Sequence, residues 1–323
     1  MKKTIRIILL LLAVLVAAFF IFRTPDSDRE AMIAKYANES SRFLDDGHGG
    51  KIHFRDQGNK NGPAILLIHG SNSMLQTWEP LVALLGDKYH LISLDLYGHG
   101  LTGPNPTGVY DAESNIAEVV KALDAVGVDK AYWVGNSMGG WLTWRAGLSV
   151  PERTAGLVLI DASGAQVEQK SKPYLGARLA QSWVGQMLLP EITPRFLVKS
   201  SLEETVAKPE QLTEELVDRY WELLRFPGNR QAAVDRAKTP REPEKWREIG
   251  SLKIPVLLLW GEQDKVIPLS HARAFEAAIP GSKLIIYGDA GHLPMEETPE
   301  QVARDIDAWI EAVNQEAASP SPD

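Results

Sequence analysis

The sequence predicts an α/β fold: a mostly parallel sheet covered by helices on both faces, interrupted by one helical insertion. Three observations predict it. Six short runs are apolar on both faces, as strands buried in a parallel sheet are. Segments with helical apolar spacing lie between them. A stretch of roughly 90 residues between the fourth and fifth runs has no strand pattern.

The N-terminus reads Met1-Lys2-Lys3-Thr4-Ile5-Arg6, followed by an apolar run from Ile7 to Phe22. Residues 1–23 are expected to be a transmembrane signal-anchor. The run ends in Phe19-Phe20-Ile21-Phe22-Arg23, too bulky for an A-x-A cleavage site, which favours an uncleaved anchor. A cleaved secretory signal is the alternative, with Ala13, Ala17 and Ala18 inside the run. The upstream positive charges place the N-terminus in the cytoplasm and the remainder across the membrane.

Residues 24–49 are polar and read as a linker, with Arg23–Glu39 a tether or a weak amphipathic helix. The globular part is expected from about residue 50, with Lys51–Arg55 as an edge strand. Strands then follow at Ala64–Ile68, Leu91–Leu94, Ala131–Val134 and Leu157–Ile160. Ile116, Val119, Val120, Leu123 and Val126 recur at helical spacing, and Gly127 closes that helix. Residues 163–252 form the insertion, where Leu216, Tyr220, Leu223 and Leu224 have helical spacing. Its position after a strand suggests a lid over a site at the carboxyl edge of the sheet. The sheet resumes with Val256–Trp260 and Leu284–Tyr287. Thr298-Pro299-Glu300-Gln301 combines an N-cap, a first-turn Pro and a capping-box Gln. Val302, Ile306, Trp309, Ile310 and Val313 then form one apolar stripe. The core is thus 50–162 plus 253–314, and 315–323 is expected to be a disordered tail.

Composition narrows the function. The 323 residues are 44% hydrophobic and 24% charged, an ordinary globular balance. A net charge of −8 argues against nucleic acid as a partner. The chain has no cysteine, which excludes disulfides, thiol catalysis and Cys-ligated zinc. No His pair sits at helical spacing, so no metal site is expected.

Gly135-Asn136-Ser137-Met138-Gly139 matches G-x-S-x-G and is followed by Gly140. A strand runs into it and a helical segment, Trp141–Leu148, leaves it, the setting of a nucleophile elbow. A serine hydroxyl needs a base. His292, in Gly291-His292-Leu293-Pro294, follows the last strand and is the candidate. The base needs a carboxylate. Asp264, in Gly261-Glu262-Gln263-Asp264, follows the strand before it, giving the chain order Ser137, Asp264, His292. Asp161 at the end of the preceding strand is the rival, and Glu262 a weaker one. The backbone N–H groups of Ser71 and Met138 are the candidate oxyanion donors, with the Ser71 hydroxyl assisting. His69 is read as structural, supporting the His69-Gly70-Ser71 loop.

These residues carry a resemblance. From about Lys51 to Val313 the chain resembles the α/β-hydrolase superfamily. The matching segments are Ile68-His69-Gly70, Asp95-Leu96-Tyr97-Gly98-His99-Gly100, Gly135–Gly140, Trp260–Asp264 and Gly291-His292. The resemblance implies an eight-stranded, mostly parallel sheet with a helical cap and a Ser-His-Asp hydrolase that needs no cofactor. It implies a structural turn at Asp95–Gly100. Ser at position 137 disfavours dehalogenases and epoxide hydrolases, which use an Asp nucleophile. Carboxylesterases and lipases remain, as do carbon–carbon hydrolases of the meta-cleavage type, which share the Gly-Asn-Ser-Met-Gly-Gly elbow. Those enzymes usually show a Gly-rich run after His-Gly and often a Trp after the histidine. Here Ser71-Asn72-Ser73 and Leu293 stand there. A catalytically inactive binding protein of the same fold is the third alternative. The expected substrate is a small hydrophobic ester, and the expected location a bacterial inner membrane, single-pass, with the catalytic domain outside.

Overall fold

Continuous apolar runs become the inner strands of an eight-stranded sheet. In the computed structural model, residues 2–167, 182–188, 190–239 and 242–318 are described. The strands are β1 (Ser41–Asp45), β2 (Lys51–Gly58), β3 (Ala64–Ile68), β4 (His90–Leu94), β5 (Ala131–Asn136), β6 (Thr154–Ile160), β7 (Val256–Gly261) and β8 (Lys283–Tyr287). Their spatial order is β1-β2-β4-β3-β5-β6-β7-β8. β1 and β2 pair antiparallel, as do β2 and β4, and every other pairing is parallel.

Alternation along each strand separates two cores. On one face Leu66, Ile68, Ile92 and Leu258 pack under the helices Ala112–Ala125, Met138–Ser149 and Leu269–Ala278. On the other face Ile65, Leu67, Val158 and Leu259 pack under Glu79–Leu85 and Pro299–Ala318. Truncating one of these fully buried leucines to alanine would cost about 2–5 kcal/mol. Asp111 caps the helix Ala112–Ala125 by accepting from Ser114 N–H at 2.7 Å. Gly127, at φ 70°, ends it as the sequence suggests.

Three boundaries differ from the sequence reading. Within residues 24–49 the helix Arg29–Tyr36 matches the helical alternative for Arg23–Glu39, while the strand β1 stands where a linker was expected. β1 is short and mostly exposed, so its pairing comes from β2 and not from an apolar pattern of its own. As a result β2 is not an edge strand. The last helix runs to Ala318, so residues 315–318 are helical, and 319–323 lie outside the described residues. At its start the Thr298 hydroxyl donates to Pro294 O at 3.2 Å, and Gln301 N–H goes to Thr298 O. That contact replaces the expected capping box.

Among the described residues of 163–252 there is no strand. The α-helices are Trp183–Leu188, Arg195–Thr205, Glu214–Leu224 and Asn229–Lys238. Leu202, Val217, Tyr220, Leu223 and Phe226 form a third cluster with Met74 and Leu101 of the core. At the other end of the chain Lys2–Phe22 is a single helix, and its apolar side chains Ile7, Leu10, Val14, Phe20 and Ile21 are exposed. Its 21 residues span about 31 Å at 1.5 Å per residue, against a hydrocarbon core of about 30 Å.

Candidate active site

The elbow begins where β5 ends. Ser137 sits between strand and helix at φ 56° and ψ −113°, outside the regions most side chains prefer. Its N–H donates to Ile160 O at 3.0 Å, and its carbonyl accepts from Trp141 N–H at 3.1 Å and Ser163 N–H at 3.0 Å. Close approach explains the flanking glycines. A methyl group on Gly139 would collide with the Ile68 carbonyl, and one on Gly70 would lie 3.0 Å from Ser137 Cβ. The Gly70 loop therefore abuts the serine.

His292 lies in the loop after β8, 5% exposed. Its Nδ1 donates to Asp264 Oδ2 at 2.7 Å. The other Asp264 oxygen accepts from Val266 N–H at 2.7 Å and Ile267 N–H at 2.9 Å. The carboxylate is thus aimed, and it holds the imidazole through Nδ1, leaving Nε2 as the nitrogen free to face a nucleophile. Asn136, immediately before the serine, donates its side-chain amide to His292 O at 3.0 Å and to Ile160 O at 3.3 Å. Strand, elbow and histidine loop are joined at that one residue.

Of the three candidate carboxylates, the His292 ring meets Asp264. Asp161 is fully buried at φ 44° beside Asp264, and its Oδ1 accepts from Gly261 N–H at 3.0 Å. Burial, and then the charge of Asp264, push its pKa well above the ordinary carboxylate value. Glu262 is exposed. Asp161, Asp264 and His292 bring three possible ligand atoms within 4.8 Å of one another. The His292–Asp264 hydrogen bond engages two of those groups with each other, a pairing that fits proton transfer.

The expected oxyanion residues are neighbours. The Ser71 hydroxyl donates to Met138 Sδ at 3.3 Å, and Met138 opens the helix after the elbow, where an N–H has no intrahelical acceptor. His69 is fully buried; its Nε2 accepts from Leu96 N–H at 3.1 Å, so Nδ1 carries the proton and donates to Gly70 O at 2.8 Å. Burial lowers its pKa, consistent with a neutral ring that props the loop. Asp95 is likewise structural. It accepts from Leu75 N–H at 2.8 Å, Leu101 N–H at 2.9 Å and His53 Nδ1 at 2.7 Å.

Two supporting groups escape a reading of the sequence. Glu297 accepts from Gly291 N–H at 2.9 Å, Leu293 N–H at 3.1 Å and Ala207 N–H at 2.7 Å. Thr205 O accepts from His292 N–H at 2.8 Å. Together they tie Thr205 and Ala207, in the inserted helical region, to the histidine loop. The only signal for Glu297 is a carboxylate one turn beyond a loop that turns its amides inward.

Residues 65–305, about three quarters of the chain, match the Alpha/beta hydrolase family. The chain belongs to that family. The uncharacterized hydrolase YugF of Bacillus subtilis is 27% identical over 282 residues, covering 83% of this chain and 97% of that one. A 2-hydroxy-6-oxononadienedioate/2-hydroxy-6-oxononatrienedioate hydrolase of Burkholderia vietnamiensis is 27% identical over 285 residues, covering 85% and 94%. Among solved structures, a bacterial membrane phospholipase A superposes with a TM-score of 0.73 at 23% identity, covering 97% of this chain and 99% of that one. That structural likeness establishes the shared fold.

Proposed function

We propose that this α/β hydrolase is a membrane-anchored serine hydrolase that cleaves carboxylic esters of hydrophobic substrates. The observation that carries the reading is the His292–Asp264 pair at 2.7 Å, tied through Asn136 to the strained serine turn. In the proposed mechanism His292 Nε2 takes the Ser137 proton as the hydroxyl attacks the ester carbonyl. The N–H groups of Ser71 and Met138 hold the oxyanion. His292 then protonates the leaving alcohol, and water cleaves the acyl-enzyme by the same route. No step calls for a cofactor or a metal.

The apolar helix supports a membrane anchor, and the shared fold with a membrane phospholipase A fits a lipid-like ester. The positive charges before the helix favour a bacterial inner membrane with the catalytic domain outside. A second reading has one specific support: the Burkholderia relative is named as a hydrolase of dienoic keto-acids. Carbon–carbon cleavage would use the same three side chains.

Turnover of p-nitrophenyl esters from acetate to palmitate tests the first reading, with Ser137→Ala as control. Serine-dependent turnover that rises with chain length is expected. A folded protein inert on every ester but active on dienoic keto-acids would replace the reading with the second. Inertness on both would leave a binding protein.

A further inference from the structure

The chain that leaves the apolar helix is fastened to the cap. Arg23 Nε donates to Glu191 Oε2 at 2.7 Å, Thr24 N–H to Glu191 O at 2.8 Å, and Thr193 N–H to Thr24 Oγ1 at 2.7 Å. Further along, Ser27 N–H donates to Arg225 O at 2.8 Å and Ser27 Oγ to Glu222 O at 2.9 Å. Arg230, buried, gives Nη1 to Thr24 O at 2.8 Å and Nη2 to Asp26 Oδ1 at 2.7 Å. Met32, Ile33 and Tyr36 then pack on the third core cluster. This network leaves no slack between the apolar helix and the cap. Phe22 is two residues from Thr24, so the end of the apolar helix lies within about 8 Å of the attachment.

Large apolar side chains are exposed on both sides of that attachment. Before it, in the helix Trp183–Leu188, Trp183 is 74% exposed, Met187 58% and Val184 41%. After it, Phe196 is 63% exposed at the start of Arg195–Thr205. Such side chains sink roughly 5–10 Å into the headgroup boundary of a bilayer, within the reach just derived, and Trp favours that layer. Among the described residues nearby, Arg23 pairs with Glu191, and Arg195 with Glu214 and Asp218. Among the described residues, the side chains offered to the bilayer are apolar.

We propose that the cap docks on the bilayer that holds the apolar helix, through Trp183, Val184, Met187 and Phe196. The proposal rests on the anchor reading above. The partner is a lipid surface, and the cap then takes esters dissolved in that surface.

The absence of cysteine makes the test clean. Single variants Met187→Cys, Phe196→Cys, Phe20→Cys and Lys283→Cys of the full chain would each carry one environment-sensitive fluorophore. Lys283 begins β8, at the end of the sheet away from the cap. The proteins are reconstituted in phosphatidylcholine vesicles with and without brominated acyl chains. Docking predicts that labels at 187 and 196 are quenched as the label at 20 is, while the label at 283 is not. Quenching at 20 alone overturns docking and keeps the anchor. No quenching at 20 overturns both. Labels at 187 and 196 that are shielded only as protein concentration rises would mean a second copy covers the patch, which also overturns it.

A second readout is functional. The double variant Met187→Glu/Phe196→Glu should turn over a vesicle-dissolved palmitate ester about tenfold more slowly, with a water-soluble butyrate ester unchanged. Equal loss on both esters, or on neither, contradicts docking.

Discussion

Replacing Asp264 by Asn exchanges one carboxylate oxygen for an amide nitrogen, and the surroundings decide which oxygen is lost. Val266 N–H at 2.7 Å and Ile267 N–H at 2.9 Å both donate to Oδ1, so the Asn carbonyl must stay there. The new NH2 then faces His292 Nδ1, formerly 2.7 Å from Oδ2. Nδ1 can only accept from it, so the ring proton moves to Nε2. That tautomer cannot take the serine proton. The same exchange costs a triad enzyme about 10⁴-fold in kcat, or roughly 5.5 kcal/mol of barrier. The assay is kcat and KM on p-nitrophenyl butyrate, with far-UV circular dichroism and a melting curve to verify the fold. The expected result is that kcat collapses while Tm shifts little. Asp161→Asn keeps the oxygen that accepts from Gly261 N–H and should lower kcat only severalfold. An Asp264→Asn enzyme that is folded and within about tenfold of the original kcat would refute this reasoning.

Other outcomes follow from the same structure. Asn136→Ala removes the amide bridging His292 O and Ile160 O; it should cost about 1–3 kcal/mol of stability and depress kcat more than it raises KM. Chemical denaturation and steady-state kinetics on one preparation would check both. Glu118 is buried, and burial lifts its pKa well above the ordinary 4.5. Its folded pKa exceeds the unfolded one, so the unfolded chain ionises first and stability falls as pH rises above 4.5 toward the folded pKa. Glu118→Gln should therefore raise Tm at neutral pH and leave it unchanged in acid; melting curves across that window decide.

What the sequence made legible follows from burial. β3 to β7 lie inside the sheet with both faces covered, and such strands are continuous apolar runs that need no tertiary information. β1 leaves no such pattern because Ser41–Asp45 is mostly exposed and pairs only through β2. Arg23–Glu39 reads as a tether or a weak amphipathic helix because its residues are mostly polar, and nothing in that pattern shows that it is fastened down. That polarity is spent on Glu191, Glu222 and Arg230, almost two hundred residues away, and no local pattern encodes such partners. In the site, the elbow and His292 were legible as motifs at strand ends. The choice of Asp264 over Asp161 depends on which carboxylate meets Nδ1, a distance that only the fold supplies. The bracing role of Asn136 comes from its two hydrogen bonds, to His292 O and Ile160 O, whose partners lie far away in the sequence.

The central claim is that Ser137 is a nucleophile activated by His292. Treating the full-length protein with a fluorophosphonate and mapping the adduct by mass spectrometry tests it most directly. The account predicts one adduct, on Ser137, that forms in the native enzyme and is lost in His292→Ala. Absence of an adduct from the folded protein, or one on a different residue, would contradict it.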